Sequence, residues 1–292
     1  MTKFLDPNIE FKNKTVSERM QLFRYKNKEL PLPTEIEISE SGTCNRKCSF
    51  CPRSADNFED IKEFITKDLV DKIATELNEL DYKGVIRFSG FVEPMLDKKI
   101  FDHISTFKKF CPNSRIEIVT NGDPLNMIRL KRLFESGLDK ILISAYDGKE
   151  DVIKFQKMVE ELKLNKDQYI IRDRSLPEEQ DFGITLSNRA GMMENAEYQI
   201  PKTLSPLKNP CYIPSYTLFF DYLGDVLMCP HDWGKKIILG NLKKEKLKDI
   251  WFKEKSIKIR NILTNSNRNF SPCNVCDVDG TLMGKKNAEY FK

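Results

Sequence analysis

The sequence predicts an α/β protein: a partial (β/α)6 barrel of parallel strands followed by a small C-terminal, cysteine-rich hairpin-plus-helix extension. Three observations carry that expectation. Strand-like and helix-like segments alternate from residue 34 to 164, the pattern of parallel strands joined by right-handed crossovers. Composition shifts near residue 200, where "IPKTLSPLKNP" is proline-rich and marks a boundary. Seven of the 8 cysteines gather at two places, a loop after the first strand and the segment beyond residue 210.

Taken in order, residues 1–33 form a lead-in, irregular or partly helical, closed by "PLP". "TEIEISES" (34–41) alternates as a half-buried strand does and runs straight into the cysteine loop. "TKDLVDKIATELNEL" (66–80) has helical periodicity, "GVIRFSG" (84–90) reads as a strand and "KKIFDHISTFKKF" (98–110) as a helix. "RIEIVTNG" (115–122) is a strand, and "PLNMIRLKRLFESG" (124–137) a helix with Pro124 in its first turn and Gly137 past its end. "KILISAYDG" (140–148) is a strand and "KEDVIKFQKMVEELKL" (149–164) a helix, with further strands expected at 168–175 and 181–191. Six such strands curve into an open barrel of residues 34–200 whose functional groups collect at the C-terminal strand ends. The extension, 201–292, holds a hairpin in "SYTLFFDYLGDVLMC", turning at Leu223-Gly224-Asp225, then one helix around "KLKDIWFKEKSIKIRNILT" and a closing cysteine pair.

Composition narrows the function. A net charge of +4, with 32% charged residues of both signs along 292 residues, lacks the basic stripe of a nucleic-acid binder. The N-terminus has no apolar signal core, and no run reaches the ~18 apolar residues of a membrane span. The chain is therefore expected to be cytoplasmic, with no membrane partner. In that reducing compartment 8 cysteines read as metal ligands or reactive thiols before disulfides. With only His103 and His231 present, any metal is held mainly by thiolate.

Cys44, Cys48 and Cys51 stand in "SGTCNRKCSFCPRS" at C-x3-C-x2-C spacing, with no fourth ligand nearby. Structural zinc needs four closed ligands. Three thiolates on an iron–sulfur cube leave one iron open for a substrate or cofactor. The plainer readings are a distant fourth cysteine or three unrelated thiols.

These residues resemble the radical S-adenosylmethionine enzymes, whose signature is this spacing with an aromatic residue, here Phe50, before the last cysteine. "SGFVEPML" (89–96) is similar to the family's glycine-rich strand-2 motif: Gly90, Glu93 and Pro94 keep the pattern, while Phe91 replaces the second glycine and a valine is interposed. "TNG" and "ISAYDG" end the next two strands, and Asn121 and Ser144 match the family's ribose and carboxylate contacts. The resemblance implies a 4Fe–4S cluster on three cysteines, S-adenosylmethionine as cofactor, and a flavodoxin- or ferredoxin-type electron donor. It implies reductive cleavage to a 5′-deoxyadenosyl radical that takes hydrogen from a small molecule.

Cys211, Cys229, Cys273 and Cys276 form the second set. By spacing alone they close either a zinc site or a fully ligated iron–sulfur cluster. "YLGDVLMC" and "PCNVC" resemble the SPASM and twitch extensions of the same family, and four cysteines imply one auxiliary 4Fe–4S cluster. Its implied task is to accept an electron from a substrate radical.

Arg189, at the end of the expected sixth strand, is the candidate cation for a cofactor carboxylate or a substrate hydroxyl, with Arg172, in the fifth, its rival; the plainer reading of each is an ordinary salt-bridge residue. Cys111 sits at the N-terminal face of the barrel, away from the chemistry, and reads as structural. Without a spare thiol to return hydrogen, epimerisation is disfavoured. The expectation is oxidation of an alcohol in a sugar, aminocyclitol or nucleotide sugar to a ketone. The alternatives are a sugar epimerase, a modifier of a ribosomally made peptide, or a zinc-stabilised binding module.

Overall fold

The computed structural model describes residues 7–56, 58–175, 187–193 and 203–292. The lead-in is more ordered than the sequence suggests: helix α1 (Pro7–Glu18) is followed by a hairpin of β1 (Leu22–Tyr25) and β2 (Lys28–Pro31). The parallel strands β3 (Glu35–Ser39), β6 (Val85–Phe88), β7 (Arg115–Thr120), β8 (Lys140–Ala145) and β9 (Tyr169–Asp173) follow the expected order. Between β3 and β6 a short ribbon of β4 (Ser41–Gly42) and β5 (Ile61–Phe64) flanks the cysteine loop. Helices α2 (Lys67–Glu79), α3 (Ile100–Phe110), α4 (Met127–Glu135) and α5 (Lys149–Glu161) cross over between strands. Thr66 caps α2 by accepting from Leu69 N, and Asn126 caps α4 by accepting from Arg129 N. Pro124 therefore precedes α4 instead of lying in its first turn, because the asparagine supplies the better cap.

The C-terminal segment does not stand apart from this sheet. After α6 (Ile213–Tyr216), strand β10 (Thr217–Asp221) pairs in parallel with β3, and β11 (Asp225–Leu227) and β12 (Ile238–Asn241) continue antiparallel. One sheet thus runs β12-β11-β10-β3-β6-β7-β8-β9. The expected strand at 181–191 lies largely outside the described residues. Its described end, from Ser187, is a turn. The single helix expected near 246–264 is broken into α7 (Leu247–Phe252) and α8 (Glu254–Thr264) by extended Lys253. The break lets Trp251 donate to Pro31 O at 2.9 Å while Arg260 returns over its ring at 3.5 Å. A last helix, α9 (Lys285–Glu289), ends the fold.

Alternation in β3 has an unexpected outcome, since all five residues are buried. Its isoleucines, Ile36 and Ile38, join the core under α2–α5 with Ile86, Phe88, Ile116 and Ile118. The opposite face carries charge: Glu37, Arg87, Glu117 and Lys140 stand in register across four strands. Arg87 donates to Glu117 at 2.7 and 3.0 Å and pairs with Glu35. Burial raises the Glu35 carboxyl, but Arg87 and Lys12 outweigh it and hold it below the usual range. Replacing Arg87 by alanine leaves buried Glu35 with only Lys12 and buried Glu117 with only Arg115 as cationic partner, so stability should fall by about 3 kcal/mol in urea titration.

Candidate active site

The first thiol set stands where the fold logic requires, in the loop after β3. Cys44, Cys48 and Cys51 are all half-buried, and Cys51 N donates to Cys48 O at 2.9 Å. Arg53 fastens the end of the loop: it donates to Phe91 O at 3.0 Å and Gly42 O at 3.1 Å and pairs with Asp60. Arg46 fastens the middle. Its guanidinium reaches Asp123 after β7 at 2.7 and 2.5 Å and Asp147 after β8 at 2.9 and 2.5 Å, and it lies over the Tyr146 ring. Burial pushes the thiols up, Cys48 to about 11, so metal must displace their protons.

Phe50 packs against Tyr146 with ring centroids 5.4 Å apart. Asn121 turns to the loop, donating to Asn45 Oδ1 at 2.9 Å and toward Cys44 Sγ at 3.9 Å. Glu93 is fully buried and already engaged: Thr120 Oγ1, Asn121 N and Met95 N donate to it at 2.6, 2.7 and 3.0 Å. Burial raises its carboxyl to about 7 despite those bonds. It therefore staples the strand-2 motif to the end of β7. Gly90 has φ +98°, and a Cβ there would stand 2.8 Å from the Phe219 ring. Phe91, where the motif has a second glycine, stacks on Phe219 at 4.8 Å and Trp233 at 4.2 Å, closing the seam between the first strands and the C-terminal hairpin. Ser144 accepts from Arg172 at 2.7 Å.

Arg189 is placed differently from expectation, on a turn (Ser187–Met193) in which Arg189, Ala190 and Gly191 have φ of 47°, 53° and 86°. Its Nε is buried and has no hydrogen-bond partner among the described residues. Burial draws it below its usual value, and the charges of Cys51, Tyr146 and Asp277 act the other way. The turn is tied to the second thiol set through Asp277 and Val275, and its arginine is near enough to Cys51 to work against the burial that raises that thiol.

The second set lines one cavity, with Cys211, Cys229, Cys273 and Cys276 all contributing to its wall. Burial raises all four thiols, Cys273 to about 12 and Cys276 to about 11. Four thiols lining one cavity supply the full ligand set of a closed iron–sulfur cluster. Arg268 gathers the surrounding carbonyls, donating to Val278 O at 2.7 Å, Pro210 O at 2.8 Å and Asn209 O at 3.0 Å. The neutral His231 ring also lines this cavity: burial first, then Arg189 and Lys12, lower it to about 3. Cys111 is buried at the far end of α3, pointing to Ala74 O at 3.9 Å.

Arg46, Arg53, Arg268 and Asn188 escape sequence reasoning. Arg46 meets Asp123 and Asp147 across 77 and 101 residues, and no local pattern signals such a pairing. Gly280, just beyond the closing cysteine pair, has φ +75°.

Comparison with known proteins agrees with this geometry. Residues 38–170 match the radical SAM superfamily, and residues 211–277 match SPASM, an iron–sulfur cluster-binding domain. The S-adenosyl-L-methionine-dependent 2-deoxy-scyllo-inosamine dehydrogenase of Niallia circulans is 30% identical over 244 residues, 83% of this chain and 92% of that protein. The crystal structure of BtrN in complex with AdoMet and 2-DOIA superposes with a TM-score of 0.73 at 28% identity, covering 87% of this chain and 97% of that one. Native anSMEcpe with bound AdoMet shares the fold, with a TM-score of 0.53 at 13% identity over 88% of this chain and 95% of that one. Among the described residues, no helix is long and apolar enough to cross a membrane.

Proposed function

Because the chain belongs to the radical S-adenosylmethionine superfamily and carries a SPASM-type cluster-binding domain, we propose that it oxidises a secondary alcohol of an aminocyclitol- or sugar-like small molecule to a ketone. Its cofactors are 4Fe–4S clusters and S-adenosylmethionine. When bound, they supply a 5′-deoxyadenosyl radical at the barrel site and an electron acceptor at the second site.

The protein's own part is to hold and enclose. Cys44, Cys48 and Cys51 would hold the first cluster through three thiolates. Asn121 and the Glu93 staple fix the end of β7 against the loop; Phe50 and Tyr146 wall it. Arg189 offers an uncommitted cation to the cofactor carboxylate or a substrate oxygen, with Arg172 and Ser144 beyond. The aromatic seam of Phe91, Phe219 and Trp233 keeps water out. Cys211, Cys229, Cys273 and Cys276 hold the auxiliary cluster. On this reading residues 34–200 form the radical unit and 201–292 the auxiliary unit, joined through β10. The enzyme works in the cytoplasm with a flavodoxin- or ferredoxin-type donor.

The observation that carries oxidation is the four-thiol cavity, to which the turn of Arg189 is tied: removing hydrogen and then a proton leaves one electron to be taken up. Cys111, the one thiol outside both sets, is buried away from both and cannot return hydrogen to the opposite face of a substrate radical.

Anaerobic reconstitution tests the reading. Roughly eight iron and eight sulfide should bind per chain. A substrate deuterated at its carbinol carbon should give a ketone and move deuterium into 5′-deoxyadenosine. Zinc without sulfide, or epimerisation without net oxidation, refutes the assignment.

A further inference from the structure

Asn188 is a buried polar residue with no counterpart in the motifs above. Its backbone N donates to Asp277 Oδ2 at 2.7 Å, and its Nδ2 donates to Val275 O at 2.6 Å and to Thr203 Oγ1 at 3.0 Å. Its Oδ1 accepts from Gly191 N at 3.2 Å and from Asp277 N at 3.4 Å. The side-chain amide thus ties the turn to the segment around Cys276 through Val275 and Asp277, and also holds Thr203 and the turn's own Gly191. The turn needs such a tie. Arg189 and Ala190 are left-handed without being glycine, a conformation L-residues adopt only when their surroundings hold them there. Gly191 completes the fit, since a Cβ on it would stand 2.8 Å from Val275 Cγ2. Carried on this turn is Arg189, whose buried Nε is unpartnered among the described residues and whose charge acts on Cys51 and Tyr146.

We propose that Asn188 is a positioning residue: it docks the strained turn onto the Cys273–Cys276 loop, so that order in the auxiliary loop sets where Arg189 stands in the barrel site and hence how tightly that site holds S-adenosylmethionine. The inference rests on the radical-enzyme reading and extends it. The two cluster sites are linked energetically through one asparagine, and occupancy of one changes ligand affinity at the other.

The test uses the full chain, reconstituted anaerobically and left oxidised so that no turnover occurs. S-adenosylmethionine affinity is measured by equilibrium dialysis beside iron content and thermal midpoint. Wild-type protein that takes up no iron or no S-adenosylmethionine refutes the enzymatic reading itself. Given wild-type binding, Asn188→Ala should keep its iron yet bind about tenfold more weakly. Arg189→Met should weaken binding similarly, and the double variant no further. Hydrogen exchange adds a readout independent of the cofactor's chemistry: the segment 187–193 should exchange fast in cluster-free protein and become protected on reconstitution of the wild type, but not of Asn188→Ala. Should Asn188→Ala fail to fold, Gly191→Ala pushes the turn off Val275 without touching a cysteine, and the same loss is expected. Unchanged affinity in a folded, iron-replete variant, or losses that add in the double variant, overturns the proposal.

Discussion

Cys48→Ala protein should fold, keep about four iron per chain in the auxiliary set and form no 5′-deoxyadenosine. Cys48 is half-buried in a loop whose anchors are Arg46 and Arg53, so removing its sulfur leaves the barrel framework intact. What is lost is one of three attachments of a cluster that has no fourth to spare. Turnover should drop by at least roughly a thousandfold, a barrier increase above about 4 kcal/mol. Chromatographic assay of 5′-deoxyadenosine, with iron analysis and circular dichroism on the same sample, checks all three expectations. A variant that still cleaves S-adenosylmethionine at the wild-type rate would show that the cluster is held elsewhere.

Gly280→Ala is expected to have the second-largest effect, although glycine to alanine is the smallest change of side chain. The new Cβ would stand 2.5 Å from Cys211 Sγ and 3.2 Å from Arg268 Nη2, at a φ of +75°. The left-handed backbone alone costs alanine about 1–2 kcal/mol. Both neighbours are held: Cys211 N donates to Leu263 O at 3.0 Å, and Arg268 donates to Val278 O at 2.7 Å, Pro210 O at 2.8 Å and Asn209 O at 3.0 Å, while Tyr212 N donates to Gly280 O at 2.8 Å. Cys211 is driven from the cavity, and the auxiliary site loses a quarter of its ligands. Iron should fall from about eight to about four per chain. Ketone formation should fall about a hundredfold, about 2.7 kcal/mol, while cleavage of S-adenosylmethionine continues without product. Full iron content and normal ketone yield would mean that Cys211 does not belong to the set.

Much of the site was legible because its signals are local. A C-x3-C-x2-C loop places three thiols together whatever surrounds it. The parallel strands from β3 to β9 showed themselves by apolar periodicity against helices with their own caps, such as Thr66 before α2. The motif residues were less transparent. Glu93 and Gly90 fall where the pattern puts them, yet in the structure one is a staple between strand ends and the other makes room for Phe219. Their neighbours, distant in the chain, decide those roles.

The sequence by itself determined the two thiol sets and the α/β alternation, since each depends on spacings of a few residues. Only the tertiary structure decided that β10 joins the barrel sheet beside β3, that Arg46 is clamped between two strand ends, and that Asn188 ties the turn of Arg189 to the auxiliary loop. Sheet-edge pairing and buried polar contacts are chosen by packing between segments far apart in the chain, and no periodicity or spacing records which of many chemically equivalent partners will be brought within reach.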